Sequence, residues 1–178
     1  MADSSLPKIS ELNISLERDL FCRTLIRELA GTLQDIVGLK ESEGYISLVG
    51  KHMGEWINKS YQEQLNQDRL NKQQVVDILV DLKARIHGDF RVIEQDETKV
   101  VLRNSRCPFE DKVKDRQCMC MMTSNVFGTI TADNLGYAKV VLEETIARGD
   151  TECKVIIHFD DTGESALAEG REYFNLDV

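Results

Sequence analysis

No apolar run in this 178-residue sequence approaches the ~20 residues that a membrane-spanning helix needs. The first residues, 1–7, also lack the basic and apolar regions of a secretory signal. Positive charge is scarce too, since 22 Lys and Arg stand against 31 Asp and Glu, for a net charge of -9. A protein of that charge is not expected to hold nucleic acid or anionic lipid through its overall field. We therefore expect a cytoplasmic protein with no membrane partner and no direct nucleic-acid partner.

The sequence also lacks the motifs of the common catalytic classes. It contains no Ser-His-Asp order, no glycine-rich phosphate loop and no His-Glu-x-x-His motif. The three histidines each suit a structural role: His52 lies in a glycine-flanked helix, His87 ends a helix, and His158 alternates with apolar residues in a strand. We expect no catalytic residue and favour a binding module over an enzyme.

One domain suits a chain of this length, because single domains commonly span roughly 100–200 residues. Residues 1–14 are polar and show no period, which predicts a flexible lead-in. The remaining domain, 15–178, divides into a helical part, a cysteine-containing β-β-α-β-β part and a tail, which span residues 15–88, 89–160 and 161–178.

Apolar spacings of three and four predict three helices in the first part, over about 15–37, 44–64 and 75–86. After Gly88 the apolar period changes to two. This change predicts a hairpin of strands 90–94 and 99–103, a helix over 118–134, and a second hairpin of strands 137–143 and 153–159. The fold class is α+β, with the helical layer packed on one face of a small four-stranded antiparallel sheet.

The sequence has five cysteines, an odd number, and we expect it in a reducing compartment. Clustered thiols there bind metal or respond to oxidation more often than they form disulfides. The candidate ligands of a metal centre are Cys107, Cys118, Cys120 and Cys153, all in the second half of the chain. Four thiolates suit Zn²⁺ or a 4Fe-4S iron–sulfur cluster. Four unconnected thiols and a metal-free redox switch are the alternatives. Cys22 stands apart on the apolar face of the first helix and is expected in the core.

An apolar pocket is expected between the helical layer and the sheet. Gly50 and Gly54 remove side chains there, and the methionine-rich helix that follows the cysteines provides a deformable wall. The candidate ligand-contacting residues are Trp56, Met53, Met122 and Phe127. The same residues also suit plain core packing, and the two glycines also suit close contact with a neighbouring helix.

The first helix carries more apolar surface than one narrow stripe. Phe21 and Ile26 lie off its main apolar seam. At 1.5 Å per residue, a helix over 15–37 is roughly 34 Å long, and a 20 kDa domain has little core with which to cover it. We therefore expect a homodimer that uses this helix.

Four segments of the second half carry a resemblance to a known family. They are Cys107-Pro-Phe, Cys118-x-Cys120-x-Met-Thr-Ser-Asn-Val-Phe-Gly, Gly136-Tyr-Ala-Lys-Val and Glu144-x-x-x-x-Gly149-Asp-x-x-Cys153-x-Val-x-Ile. These segments look like the methanogen output domain, which is similar in turn to the 4-vinyl-reductase family. The resemblance implies an α+β ligand-sensing module, commonly dimeric, found in signalling and tetrapyrrole-related proteins, with zinc bound in some members.

The zinc-binding members have the pattern Glu-x-x-Cys, followed eight residues later by a second Cys, with a further Cys upstream. Here Cys153 falls at the second cysteine, Thr145 at the first, and Leu142 at the glutamate. Cys120 lies at about the right distance to be the upstream ligand. The additional thiols turn the implied site into a rearranged four-cysteine centre.

The expected function is a sensory or regulatory module that holds a metal centre and signals through a dimer to an unidentified partner. A small apolar ligand is a further candidate. The alternatives are a tetrapyrrole-related enzyme or carrier, and a metal-free thiol redox switch.

Overall fold

The computed structural model describes residues 8–175, in which five α-helices and five strands form. The helices are α1 (Arg18–Val37), α2 (Leu39–Leu65), α3 (Lys72–Arg85), α4 (Cys120–Leu135) and α5 (Glu164–Leu167). The strands are β1 (Arg91–Gln95), β2 (Lys99–Asn104), β3 (Tyr137–Glu144), β4 (Cys153–His158) and β5 (Arg171–Phe174). Residues 1–7 and 176–178 lie outside this description, so the lead-in predicted over 1–14 is described only in part. Within residues 8–175, no helix combines the length and the apolar character that crossing a membrane requires.

Most helix boundaries have a local cause in the sequence. Gly38, with φ at +87°, ends α1, and α2 begins at the next residue, before the predicted position 44. Asn66 closes α2 in the left-handed conformation. Asn71 and Gln74 cap the start of α3 reciprocally, because each side-chain oxygen accepts a hydrogen bond from the other's backbone N–H, at 3.0 and 2.9 Å. Gly136, with φ at +92°, ends α4 at the predicted residue.

The five strands form one antiparallel sheet in the order β1-β2-β4-β3-β5. β4 lies at its centre, where Ile157 pairs with Val100 of β2 on one side and with Val140 of β3 on the other. The fifth strand comes from the tail, where Phe174 of β5 pairs with Tyr137 of β3. The α+β class is confirmed, and the sheet has one strand more than predicted.

The core lies between the sheet and helices α3 and α4. The ring of Phe127 in α4 meets that of Phe90, just before β1, edge to face with centroids 5.4 Å apart. Other buried members of this core are Val75, Leu79, Leu82, Ile130, Val100, Leu102, Val140, Val155 and Ile157. Burying each such side chain contributes about 1.5–3 kcal/mol. α4 contacts this core on one side and α2 on the other, so its middle is buried almost all round.

α1 lies against the chain segment that follows β2. Nη1 of Arg27 donates to the carbonyl oxygens of Lys112 and Lys114, at 2.6 and 2.9 Å, and Nη1 of Arg23 pairs with the Glu110 carboxylate at 2.6 Å. Ala30 is the point at which α1 is buried against this segment. Most large apolar side chains of α1 are exposed.

Candidate functional site

Three thiols line one small cavity between the end of β2, the start of α4 and the start of β4. They belong to Cys107, Cys120 and Cys153, and the cavity has a volume of about 30 Å³. Most of the remaining wall is apolar, with contributions from Phe90, Phe109, Met119, Leu142, Ile146 and Val155. Segments far apart in the sequence therefore bring three of the four predicted ligands together. We call this space the thiol cavity.

The turn before Cys107 is held by Asp89. Its carboxylate accepts hydrogen bonds from the N–H groups of Ser105 and Arg106, at 2.8 and 2.7 Å. The side-chain oxygen of Asn104 in turn accepts from the Asp89 N–H at 3.2 Å. These bonds fix the end of β2 and direct the Cys107 side chain inward. Burial raises the pKa of the Cys107 thiol, although the N–H of Phe109 donates to its sulfur.

The loop between β3 and β4 supplies hydrogen bonds to the other two sulfurs. The N–H of Ile146 donates to Sγ of Cys153 at 3.5 Å. The hydroxyl of Thr145 donates to the sulfur of Cys120, whose pKa is raised to about 12 by burial. The loop is itself anchored, since the Thr145 N–H donates to the Asp150 carboxylate at 2.7 Å. Each thiol of the cavity thus has a donor that would stabilise negative charge on sulfur.

A buried lysine in the last turn of α3, Lys83, contacts two residues of the cavity wall, Thr123 and Phe90. Nζ of Lys83 donates to the hydroxyl of Thr123 at 2.8 Å and lies 5.4 and 5.1 Å from the ring centroids of Phe90 and Phe127. Burial lowers the pKa of Lys83 to about 8, while its electrostatic interactions with the three cavity thiols act in the opposite direction. The sequence analysis did not single out Lys83. The sequence does contain a sign that Lys83 is buried. Lys83 follows Leu79 by four residues, which places a charged residue on the apolar stripe of α3.

Cys118, the fourth predicted ligand, does not reach the thiol cavity. It is fully buried in a second, smaller core, where its sulfur lies 3.8 Å from the carbonyl oxygen of Ala30 and beside Ser42. Cys118 and Cys120 are two residues apart in a helical turn, and residues at that spacing do not face the same side. The predicted four-thiol set is therefore split into three and one. Cys22 is exposed, so its predicted place in the core is wrong, because nothing in the described chain covers that face of α1.

The three remaining thiols suit a metal–thiolate centre in ligand type and in their hydrogen-bond donors. Within residues 8–175, however, no three His, Cys, Asp and Glu side chains are arranged, as they stand, to hold a metal ion.

The predicted apolar pocket does not form around its four candidate residues. A Cβ added to Gly50 or Gly54 would lie 2.8 Å from the Cβ of Asn125 or Thr129, so the two glycines allow α2 and α4 to pack closely and leave no space between them. Met53 and Trp56 lie on the outer face of α2, with Trp56 63% exposed. Met122 is half-buried in α4, and Phe127 is fully buried in the main core.

Sequence comparison identifies the family. Residues 25–158 match methanogen output domain 1, so the chain belongs to that family. No curated protein matches the chain in sequence.

Several solved structures share the fold. The phenol-responsive sensory domain of the transcription activator PoxR, with phenol, has a TM-score of 0.61 at 14% identity, over 82% of this chain and 76% of that one. A trafficking protein particle complex subunit 3 from Naegleria fowleri, covalently bound to palmitic acid, scores 0.55 at 13% identity, over 87% and 98%. A mutant Fe(II) unliganded H-NOX protein from K. algicida scores 0.52 at 16% identity, over 86% and 80%. At these identities the likeness defines the fold alone.

The positions to which the resemblance assigned the zinc pattern of the 4-vinyl-reductase family lie in the wall of the thiol cavity. Leu142, Thr145 and Cys153 all line its wall. Neither a leucine nor a threonine can act as a thiolate ligand, and two thiols from elsewhere, Cys107 and Cys120, face the same space.

Proposed function

We propose that this chain is a sensory or regulatory module of a signalling protein and that its thiol cavity binds a soft divalent metal ion, zinc first. The observation that carries the proposal is the convergence of Cys107, Cys120 and Cys153, from three separate segments, on one small cavity. Membership of an output-domain family supports a signalling role. The sensory domain of PoxR, which has the same fold, shows that this architecture serves ligand sensing in another protein.

The size of the thiol cavity favours an ion over an organic ligand. A single water requires roughly 10–15 Å³ on the same measure, so about 30 Å³ holds an ion and one small further molecule. Phenol, a fatty acyl chain or a tetrapyrrole needs more room than this. The small apolar ligand and the tetrapyrrole enzyme or carrier considered from sequence are therefore less favoured than the metal centre.

The ligand set favours zinc over the other thiol chemistries. Iron–sulfur clusters commonly take four cysteine thiolates, and three converge here. A redox switch requires reactive thiolates, but burial raises the pKa of Cys107 and of Cys120, which keeps both thiols protonated in the metal-free protein. When bound, zinc would link the ends of β2, α4 and β4 and leave one ligand position for a small molecule.

Signal output would pass through α1. The 3₁₀ turn Glu110–Val113 begins three residues after Cys107, and this turn and the residue after it bind Arg23 and Arg27 of α1. A change at the thiol cavity that moves this turn would therefore reach α1 without crossing the main core.

The receiving surface is the exposed apolar face of α1 and α2, which we propose as the interface of a homodimer. It comprises Phe21, Leu25, Leu29, Ile36, Leu48, Val49, Met53 and Trp56, all exposed in the single chain. Apolar side chains in such numbers on two consecutive helices are typical of interfaces and rare on monomer surfaces.

The test is the metal content of the protein purified without oxygen, with each cysteine replaced in turn by serine. Wild type is expected to hold one zinc per chain, and the Cys107, Cys120 and Cys153 variants to lose both the zinc and the thermal stability that zinc confers. Cys118→Ser and Cys22→Ser are the matched controls, one buried and one exposed, and both are expected to keep the zinc. No metal in wild type, or equal loss in all five variants, would contradict the proposal.

A further inference from the structure

The charge of Lys83 has no acidic partner in the described part of the chain. Its neighbours are the Thr123 hydroxyl and the faces of two phenylalanine rings, all of them neutral. These contacts, and the nearby carboxyl end of α3, stabilise an ammonium group in part. They do not neutralise it, and an unpaired buried charge is costly.

The second buried lysine of the chain shows the ordinary arrangement. Lys139 in β3 donates to the carbonyl oxygen of Ser165 at 2.8 Å and pairs with the Glu172 carboxylate at 3.4 Å. The fold therefore supplies Lys139 with a counter-charge of its own. Lys83 instead contacts the Thr123 hydroxyl and the Phe90 ring, which both line the thiol cavity.

We propose that Lys83 is the built-in counter-charge of the thiol cavity and a positioning residue for its metal. This inference rests on the metal centre proposed above. Three thiolates on a divalent ion leave one net negative charge in a buried site, and one ammonium group brings the total to zero. A neutral total minimises the free energy of burying the centre, since any remaining charge would carry a desolvation cost.

The charge balance also defines which ion and which fourth ligand the site accepts. A monovalent ion held by three thiolates would leave one uncompensated negative charge beside Lys83, and so would a divalent ion with a fourth, anionic ligand. The site is therefore matched to a divalent ion whose fourth ligand is neutral, such as water or a small uncharged molecule. The small size of the thiol cavity imposes the same limit on that ligand.

The test compares Lys83→Met with Lys139→Met in the full chain, with two measurements on each variant. The first is zinc affinity at neutral pH by competition with a chelator of known affinity, and the second is the melting temperature of the metal-free protein. Methionine keeps the aliphatic packing of lysine and removes the charge. Lys83→Met is expected to weaken zinc binding about tenfold or more, the usual effect of losing a group that supports metal ligands. The melting temperature of its metal-free form should be unchanged or higher, because a buried unpaired charge is gone.

Lys139→Met is expected to show the opposite result, with unchanged zinc affinity and a lower melting temperature, because the hydrogen bond to the Ser165 carbonyl and the ion pair with Glu172 are lost. If Lys83 had a structural role only, Lys83→Met would lower the melting temperature and leave the zinc affinity of the folded protein unchanged. That result would overturn the inference. If Lys83→Met does not fold, Lys83→Gln is measured in its place against the same two expectations. If the wild-type protein binds no zinc, the proposed metal centre itself is contradicted. If the wild type binds zinc and Lys83→Met binds it equally well, only the role of Lys83 is contradicted.

Discussion

The Arg27 guanidinium donates to the Lys112 carbonyl oxygen across 2.6 Å, and this contact ties α1 to the turn that follows a thiol of the cavity. The same Nη1 also donates to the carbonyl of Lys114 at 2.9 Å. Arg27 thus satisfies two backbone carbonyls that are distant from it in sequence. It is the main polar link between the segment after Cys107, on the proposed sensing side, and α1, on the proposed output side.

Replacing Arg27 by glutamine is therefore expected to destabilise the fold by about 1–3 kcal/mol, because hydrogen bonds from a charged donor are lost. Chemical denaturation followed by circular dichroism measures this change. Arg18→Gln, at the exposed first residue of the same helix, is the control and should change stability little. Equal effects of the two substitutions would remove the special role assigned to Arg27.

The close packing of α2 on α4 predicts opposite effects for one substitution at two glycines of the same helix. A Cβ at Gly54 would lie 2.8 Å from the Cβ of Thr129, so Gly54→Ala should cost about 1–3 kcal/mol through overpacking. Gly44 has open space at its Cβ position, so Gly44→Ala should gain about 0.5–1 kcal/mol from helix propensity. Thermal melts of both variants decide the matter, and a stabilised Gly54→Ala would show that α2 and α4 are less close than described.

The proposed homodimer predicts a mass of about 40 kDa by light scattering at micromolar concentration, twice that of the 20.2 kDa chain. Glutamate at both Leu25 and Leu29 places charge in the interface and should yield monomers. Leu167→Glu is the control, since Leu167 is 88% exposed and belongs to α5, which contributes no residue to the proposed interface. A wild-type mass near that of one chain, or monomers produced by the control, would contradict the dimer.

His158 predicts a loss of stability in mild acid. It is buried in β4, and this burial lowers its pKa; Lys99 and Lys139 act in the same direction, and Glu164 and Asp160 oppose them. Because the folded pKa lies below the unfolded value of about 6.5, the unfolded chain binds the proton first as the pH falls. The stability associated with neutral His158 is thus complete above pH 6.5 and is lost as the pH falls through the folded pKa.

Melting temperatures measured from pH 7.5 to 5 test this expectation. Wild type should lose more stability over that range than His158→Gln, whose side chain does not titrate. His52→Gln, at an exposed histidine of α2, should follow the wild-type curve. Parallel curves for wild type and His158→Gln would show that His158 does not contribute to the acid response.

The four long helices and the two hairpins could be predicted because the spacing of apolar residues changes from three and four to two after Gly88. The fifth strand could not, since Arg171–Phe174 is only four residues long and does not alternate. Its place depends on a contact distant in sequence: the ring of Tyr173 occupies the space beside Gly128 of α4, where any side chain at position 128 would collide with it. The position of β4 between β2 and β3 likewise depends on pairing that local patterns do not encode.

The sequence predicted the type of residue in the candidate site, but only in part which residues belong to it. Thiol chemistry pointed to Cys107, Cys120 and Cys153, and the fold brings these three to one cavity. Cys118 was grouped with them because it is close in sequence, but a helical turn directs it into another core. Lys83 was missed because a basic residue near the end of a helix usually points to solvent, and only the packing of α3 on α4 shows that it is buried.

The central claim is that three thiols, and not four or none, form one metal site. X-ray absorption at the zinc edge of the zinc-loaded chain tests it most directly, because it counts sulfur atoms at the ~2.3 Å of a zinc–thiolate bond. We predict three sulfur neighbours and one lighter neighbour, with the same spectrum from Cys118→Ser and one sulfur fewer, or no bound zinc, in Cys120→Ser. Four sulfur neighbours in wild type, a spectrum without sulfur, or a chain that takes up no zinc would contradict it.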